Sequence, residues 1–311
     1  MHCVTRKKYD YMVESRKAYA TGQNVTKLLR EKYVNDINES KMIEIAYDMQ
    51  AGDYVQFAKE YSTRLNNYAA QLANILADYI GKDDTLLDIG TGEMTTLCAV
   101  LGNLPVIPKK TFATDISWSR LFYGRGFASE SLGSESEKIK PFVSDIKEIP
   151  LPSSSVDVLT TSHALEPNGE HLETVLSELF RVARKYLVLF EPSYERNSPE
   201  GQKRMDELGY IKGLESTVEK LGWSVESVMK IDSPAKPLNP TYCHIIPVNK
   251  DISDYCEPVF TVPGTDYSLT KKNNFFFSSA LGICFPVLEE LPVFRSESAI
   301  LASAYGNESS A

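Results

Sequence analysis

The sequence predicts an α/β protein: a mainly parallel seven-stranded sheet with helices on both faces, an N-terminal helical cap before it and a small C-terminal β-rich module after it. Three observations predict this. Up to residue 83 the apolar residues recur every three or four positions, from 84 to 249 short apolar runs alternate with helical stretches, and from 250 to 311 turn residues separate short β-like runs.

The helical part has two expected elements between about residues 9 and 48, broken near Gly22. One long amphipathic helix follows, carrying Tyr54, Phe57, Ala58, Tyr61, Leu65, Tyr68, Leu72, Ile75, Leu76 and Tyr79 on one stripe. A stripe at this spacing ordinarily packs a core, and it is also able to line a pocket. The strand runs are TLLDI, TFATDI, PFVSDI, VDVLTTS, KYLVLFE, WSVESVMKI and TYCHIIPV. Leu172, Val175, Leu176, Leu179, Phe180 and Ala183 mark a helix between the fourth and fifth. Met205, Leu208, Ile211, Leu214, Val218 and Leu221 mark another before the sixth. The last two runs leave no room for a helix between them, so they are expected as antiparallel neighbours at a sheet edge. The tail GNESSA is expected to fray.

Composition narrows the function classes. With 42% hydrophobic and 24% charged residues among 311, the chain is globular and long enough to bury a sizeable core. A net charge of -9 supplies no general field toward phosphate backbones, which disfavours nucleic acid as a partner. No run of eighteen apolar residues occurs, so neither export nor a membrane span is read. The five cysteines, Cys3, Cys98, Cys243, Cys256 and Cys284, form no C-x-x-C pair and read as reduced thiols in a cytoplasmic protein. Oligomeric state is not written in the pattern, and a homo-oligomer remains open.

The strongest local signal is LLDIGTGEMTTL, residues 86 to 97, where a buried strand runs into glycines and then a helix. Gly90 and Gly92 permit a sharp turn against which a ligand can rest on bare backbone, and the next helix offers free N–H groups. Asp115 closes the second strand, where a carboxylate can accept both hydroxyls of an adenosine ribose. After the third strand, Asp145 and Ile146 offer a carboxylate and a backbone N–H to an adenine edge. After the fourth stand Ser162 and His163, beside the crevice where such sheets bind ligands. A dehydrogenase binding NAD is the competing reading, but its third glycine is Thr95 here.

On these residues the stretch from about 84 to 248 resembles the class I S-adenosylmethionine-dependent methyltransferases with a D-x-G-x-G first motif, whose sheet is Rossmann-like. The resemblance implies S-adenosylmethionine as cofactor. It assigns Asp88, Gly90 and Gly92 to the methionine end, with Thr91 and Glu93 in the intervening loop, Asp115 and Ile116 to the ribose strand end, Asp145 and Ile146 to adenine. RVARKYLVLFEP is similar to the family's fifth-strand stretch, although the usual Pro-Gly turn before that strand is missing.

Methyl transfer needs an acceptor lone pair in line with the S–CH3 bond in a water-excluding pocket, and a protonated O or N acceptor also needs a base. His163 has the best expected position among the four histidines; His171 and His244 read as a cap and a core residue. Glu166 and Glu191, at the ends of the fourth and fifth strands, are the carboxylate alternatives. Tyr61 and Tyr194 are expected to close over the acceptor. No metal cluster is evident.

LGICFPVLEELPVFRSESAI, residues 281 to 300, resembles the end of a small zinc-ribbon-like family that includes methyltransferase-activating subunits. Phe285-Pro286-Val287 and Leu291-Pro292 carry the likeness. The family's metal cysteines are absent: Cys256 stands alone, and Ser278 and Leu281 fall where a second pair belongs. The sequence therefore points to methyl transfer onto an O or N atom of a small molecule, such as a sugar or another biosynthetic intermediate. The alternatives are methylation of tRNA or protein, prompted by the C-terminal likeness, and a non-catalytic cofactor-binding regulator.

Overall fold

The computed structural model of the chain describes residues 8–33, 39–232, 237–250 and 255–305; the tail GNESSA, His2 and Cys3 lie outside them. The seven apolar runs form β1 (Thr85–Ile89), β2 (Lys110–Asp115), β3 (Ile139–Ser144), β4 (Val156–Ser162), β5 (Ala183–Pro192), β6 (Ser227–Lys230) and β7 (Thr241–Pro247). Their order is β6-β7-β5-β4-β1-β2-β3. β1 through β5 are parallel, with Leu87 of β1 opposite Phe112 of β2 on one side and Leu159 of β4 on the other. β7 runs antiparallel to both β5 and β6, as the short spacing between the last two runs requires.

Among the described residues five helices precede the sheet: α1 (Lys8–Ala20), α2 (Val25–Tyr33), α3 (Ser40–Asp48), α4 (Asp53–Glu60) and α5 (Ser62–Leu76). Among the connections run α6 (Thr95–Asn103), α7 (Trp118–Leu132), α8 (Leu172–Val182), α9 (Pro199–Leu208) and α10 (Leu214–Lys220). Alternate strand residues feed opposite cores. Leu86, Ala113, Val158, Val188 and Ile245 pack with α5, α6 and α7, whereas Leu87, Phe112, Leu159, Leu187 and Ile246 pack with α8 and α10. The connection from β1 thus leaves to one face and that from β4 to the other. Between these two strands, at their carboxyl ends, a crevice must open.

Helix boundaries depart from the periodicity in three places. The single stripe expected from Tyr54 to Tyr79 breaks at Tyr61, whose φ of -117° and ψ of 42° are not helical. The break frees α4 from the sheet, so Tyr54, Phe57 and Tyr61 are left part-exposed while Leu72 and Leu76 of α5 are buried. The helix expected from Met205 to Leu221 is interrupted by Gly209 and Gly213, both at φ 65°, and the linker is pinned where the Ile211 N–H donates to the Glu166 carbonyl at 3.1 Å. Upstream, the described residues of the stretch read as two helices form three, with the expected break near Gly22. No helix among the described residues is long and apolar enough to cross a membrane.

The C-terminal strands are β8 (Thr270–Lys271), β9 (Phe275–Ser278), β10 (Ile283–Leu288), β11 (Leu291–Phe294) and β12 (Ile300–Leu301). β10 and β11 form a hairpin turned by Glu289 and Glu290, both at positive φ. β11 then runs parallel to β3, Val293 opposite Val143 and Phe294 opposite Ser144, and covers an edge that would otherwise present unpaired N–H and C=O groups. Behind this junction Phe142, Phe260, Phe276, Phe285 and Phe294 meet at ring centroid distances from 4.7 to 6.1 Å. We expect Phe294→Ala, at a fully buried site, to lower unfolding free energy by about 3–5 kcal/mol in denaturant titration. Leu301→Ala, at an exposed site, should change it by less than about 0.5 kcal/mol.

Candidate active site

At the end of β1 the chain turns through Gly90 at φ 63° and Gly92 at φ 58° before α6 begins. A Cβ on Gly90 would lie 2.4 Å from the Ala164 Cβ, so the loop after β1 and the loop after β4 approach as closely as glycine alone permits. The Thr91 N–H donates to the Thr114 carbonyl at 2.9 Å and ties the turn to β2. One carboxylate stands at each of the first three strand ends. Asp88 is buried, and burial, reinforced by the charge of Asp115, raises its carboxyl to about 7. The Asp115 oxygens accept from the Gly92 and Ser117 N–H groups, each at 2.9 Å, which leaves a further lone pair on each oxygen. Asp145 accepts from the Lys147 N–H at 3.0 Å.

Gly90, Asp115, Ile116, Asp145 and Ile146 line one crevice, and Ser40, Ile43 and Tyr47 of α3 close it from the cap. A carboxylate with lone pairs to spare on both oxygens, a second carboxylate at the next strand end and a bare glycine turn form a set of acceptors and open backbone chemically able to receive an adenosyl group. Thr91 contributes a tie rather than a crevice surface. Glu93 points away from the crevice: its carboxylate accepts from the Gly52 and Val55 N–H groups at 3.0 and 2.6 Å and fastens the start of α4 to the loop. The free N–H groups at that helix start attract a buried acid more strongly than a distant ligand does.

A larger cavity of about 1020 Å³ adjoins the crevice beneath α4 and α5. Tyr47, Tyr54, Phe57, Tyr61 and Tyr68 supply its aromatic walls, and Ser162, His163 and Glu166 supply its polar end. Tyr61 is one of its lining residues. Tyr194 lies elsewhere, donating to Asp206 at 3.2 Å with the Lys212 ammonium over its ring, because the chain after Pro192 turns toward α9.

Of the three candidate catalytic groups, two form a pair. His163 sits at φ 56°, a left-handed conformation that a side chain rarely adopts without compensation. Its Nδ1 lies 3.1 Å from Glu166 Oε2 and its Nε2 lies 2.8 Å from the Thr241 hydroxyl. Asn239 donates to the same Glu166 oxygen at 2.9 Å, fixing the carboxylate. The acid on Nδ1 selects the tautomer in which Nδ1–H donates and Nε2 accepts the hydroxyl. Glu191 is fully buried and faces backbone instead of cavity, accepting from the Ala164 and Leu165 N–H groups at 2.9 and 3.1 Å. Burial, countered by the charge of His163, raises its carboxyl to about 7. It is a positioning residue for the loop that carries His163.

Sequence reasoning missed Tyr47, Tyr68, Arg120, Asn239 and Thr241. Tyr68 was visible as one member of the stripe, whereas Asn239 and Thr241 reach the site only because β7 pairs with β5. Among the described residues no cluster of His, Cys, Asp and Glu is arranged to hold a metal ion.

Asp88 has a consequence for stability. Its carboxyl is held above the unfolded-state value, so the folded protein favours the protonated form, and folding loses free energy as pH rises from about 4 through about 7. We expect Asp88→Asn to stabilise the ligand-free protein at pH 8 by at most about 4 kcal/mol and to leave it unchanged near pH 4, read as melting temperature against pH.

Residues 87–189 match the family profile described as a methyltransferase domain. No curated protein matches the sequence. Among solved structures, the complex between the Haloferax volcanii methyltransferase activator and its methyltransferase contains a chain similar at 18% identity, covering 66% of this chain and 98% of that one with a TM-score of 0.51. An S-adenosylmethionine-dependent methyltransferase from Aquifex aeolicus is similar at 20% identity over 60% of this chain and 93% of that one, with a TM-score of 0.44. A geranyl diphosphate C-methyltransferase from Streptomyces coelicolor is similar at 13% identity over 57% and 78%, again at 0.44. At these identities the likeness is one of fold.

Proposed function

Taking residues 87–189 as an S-adenosylmethionine-dependent methyltransferase domain, we propose that the enzyme methylates an O or N atom of a small molecule seated in the aromatic cavity. One observation carries this reading. The cavity opens directly onto the strand-end crevice, and Tyr47, Gly90, Arg120 and His163 belong to both walls. Its volume suits a small molecule beside the cofactor's reactive end. A sugar or another biosynthetic intermediate fits its mixture of aromatic faces and polar groups. On this reading the chain divides into a cap at 1–83 whose described helices cover the site, a body at 84–249 that binds the cofactor, and a part at 250–311 whose described strands support the β3 edge. The scattered cysteines and the cofactor requirement suit a cytoplasmic location.

The cofactor, when bound, supplies a methyl group on a positively charged sulfur. On this reading Asp115 accepts the ribose hydroxyls, Asp145 and the Ile146 N–H meet adenine, and Asp88 beneath the glycine turn supplies the acidic group for the ammonium of the amino-acid end. The aromatic walls hold the acceptor and exclude water, so positioning provides most of the rate. An O–H or N–H acceptor releases its proton as the new bond to carbon forms. His163 takes that proton at Nε2 once the Thr241 hydroxyl yields this lone pair, and Glu166 on Nδ1 stabilises the resulting imidazolium.

Calorimetric titration is expected to show binding of S-adenosylmethionine and S-adenosylhomocysteine, absence of NAD binding, and a loss of about tenfold or more in Asp115→Ala. Tight NAD binding would reject the assignment. With labelled S-adenosylmethionine and a panel of small hydroxyl and amine acceptors, His163→Gln should lower the rate about 10²- to 10⁴-fold while leaving cofactor affinity within about threefold. Label entering tRNA or protein in preference to every small acceptor would replace the small-molecule reading.

A further inference from the structure

The cavity beneath α4 and α5 has aromatic walls, and the face of an aromatic ring is electron-rich and attracts cations. The chain's own guanidiniums already use three of these rings. The Arg64 carbon lies 5.7 Å from the Phe57 centroid, and the Arg120 carbon lies 4.7 and 5.5 Å from those of Tyr54 and Tyr47. Among the described residues no cation of the chain lies over the two remaining rings, Tyr61 and Tyr68. Tyr61 packs on Phe57 with centroids 4.8 Å apart, and the Tyr68 hydroxyl reaches the polar end, 3.5 Å from Ser162 Oγ.

The charges of the walls favour the same kind of occupant. Asp53, Glu60, Glu166 and Asp232 line the cavity against the guanidiniums of Arg64 and Arg120. Arg120 is balanced within the wall by Glu93 and Asp115, at 3.9 and 3.8 Å. Among the described lining residues this leaves Arg64 against three exposed carboxylates and the buried Glu166. Glu166 pairs with His163, but a histidine that serves as base is neutral when the acceptor arrives and does not cancel the carboxylate. An anionic acceptor is repelled by this arrangement and a neutral hydroxyl gains little from it. An ammonium gains from the rings and the carboxylates together.

We propose that the acceptor is a cationic amine, a primary or secondary ammonium on a small body, methylated at nitrogen; the inference rests on the methyl-transfer reading of the cavity. An amino sugar belongs to this class as much as an aliphatic amine does. The ammonium gives one proton to His163 Nε2 and so exposes a nitrogen lone pair. That pair forms the new C–N bond while the C–S bond breaks and its two electrons stay on sulfur. The amine leaves as a methylated ammonium, the sulfonium becomes a neutral thioether, and the imidazolium beside Glu166 later returns its proton to water.

The test is calorimetric titration of the full chain, saturated with S-adenosylhomocysteine, with phenethylamine, phenethyl alcohol and hydrocinnamate. These share a ring and a two-carbon stem and end in ammonium, hydroxyl and carboxylate. At neutral pH the amine should bind at least about tenfold more tightly than the alcohol, and the carboxylate more weakly than either. Glu166→Gln should reduce the preference for amine over alcohol about tenfold and Tyr61→Leu about threefold, whereas Tyr61→Phe, which keeps the ring, should leave it unchanged. With labelled S-adenosylmethionine the label should enter the amine at nitrogen. An alcohol or carboxylate bound as tightly as the amine overturns the proposal, and so does an amine that fails to bind or binds without taking up label. A preference that survives both Glu166→Gln and Tyr61→Leu overturns it as well. Methyl transfer to the alcohol alone rejects the amine and keeps the methyl-transfer reading, whereas wild-type protein that does not bind S-adenosylhomocysteine rejects the cofactor reading itself. Circular dichroism melts verify folding, and if Glu166→Gln does not fold, Tyr61→Leu, at an exposed site, decides through the same comparison.

Discussion

The site depends on the contact between the loops that leave β1 and β4. Because α6 goes to one face of the sheet and α8 to the other, the carboxyl ends of these adjacent strands are left uncovered, and Gly90 and Ala164 close the floor between them. Everything chemical is arranged around that floor. Asp88, Asp115 and Asp145 lie toward β1, β2 and β3, and Ser162, His163 and Glu166 lie toward β4. A side chain at residue 90 would push the two groups apart, separating the crevice from the loop that bears His163.

Buried carboxylates hold the surrounding parts in place. Glu93 grips the start of α4 and Glu191 grips the loop bearing His163, each through two backbone N–H groups. For Glu191 burial disfavours the charged form, and the backbone hydrogen bond from Leu165 partly offsets this. The same logic applies to His163, whose left-handed backbone is stabilised by bonds to Glu166 and Thr241.

The sheet also explains why a distant segment matters to the site. β11 covers β3, and β3 leads into Asp145 and Ile146. The phenylalanine cluster behind this junction links the C-terminal strands to Phe142 of β3, so the end of the crevice at Asp145 and Ile146 is braced by residues roughly 150 positions later in the chain.

How much was legible from residue order follows from what each kind of pattern encodes. The apolar runs specified seven strands, the glycine turn marked the loop after β1, and the carboxylates at successive strand ends fell together because parallel strands place equivalent ends on one side. Those features are local and repeat at the period of the strand. What required the folded chain was direction and partnership: Glu93 turning to α4, Glu191 to backbone, Tyr194 away from the cavity, Arg120 into it, and β11 onto β3. Helical spacing could not foretell the break at Tyr61, since the stripe is the same whether its aromatics face a core or a cavity. Sequence periodicity fixes which residues share a face, but only contacts between segments far apart in the chain determine what that face meets.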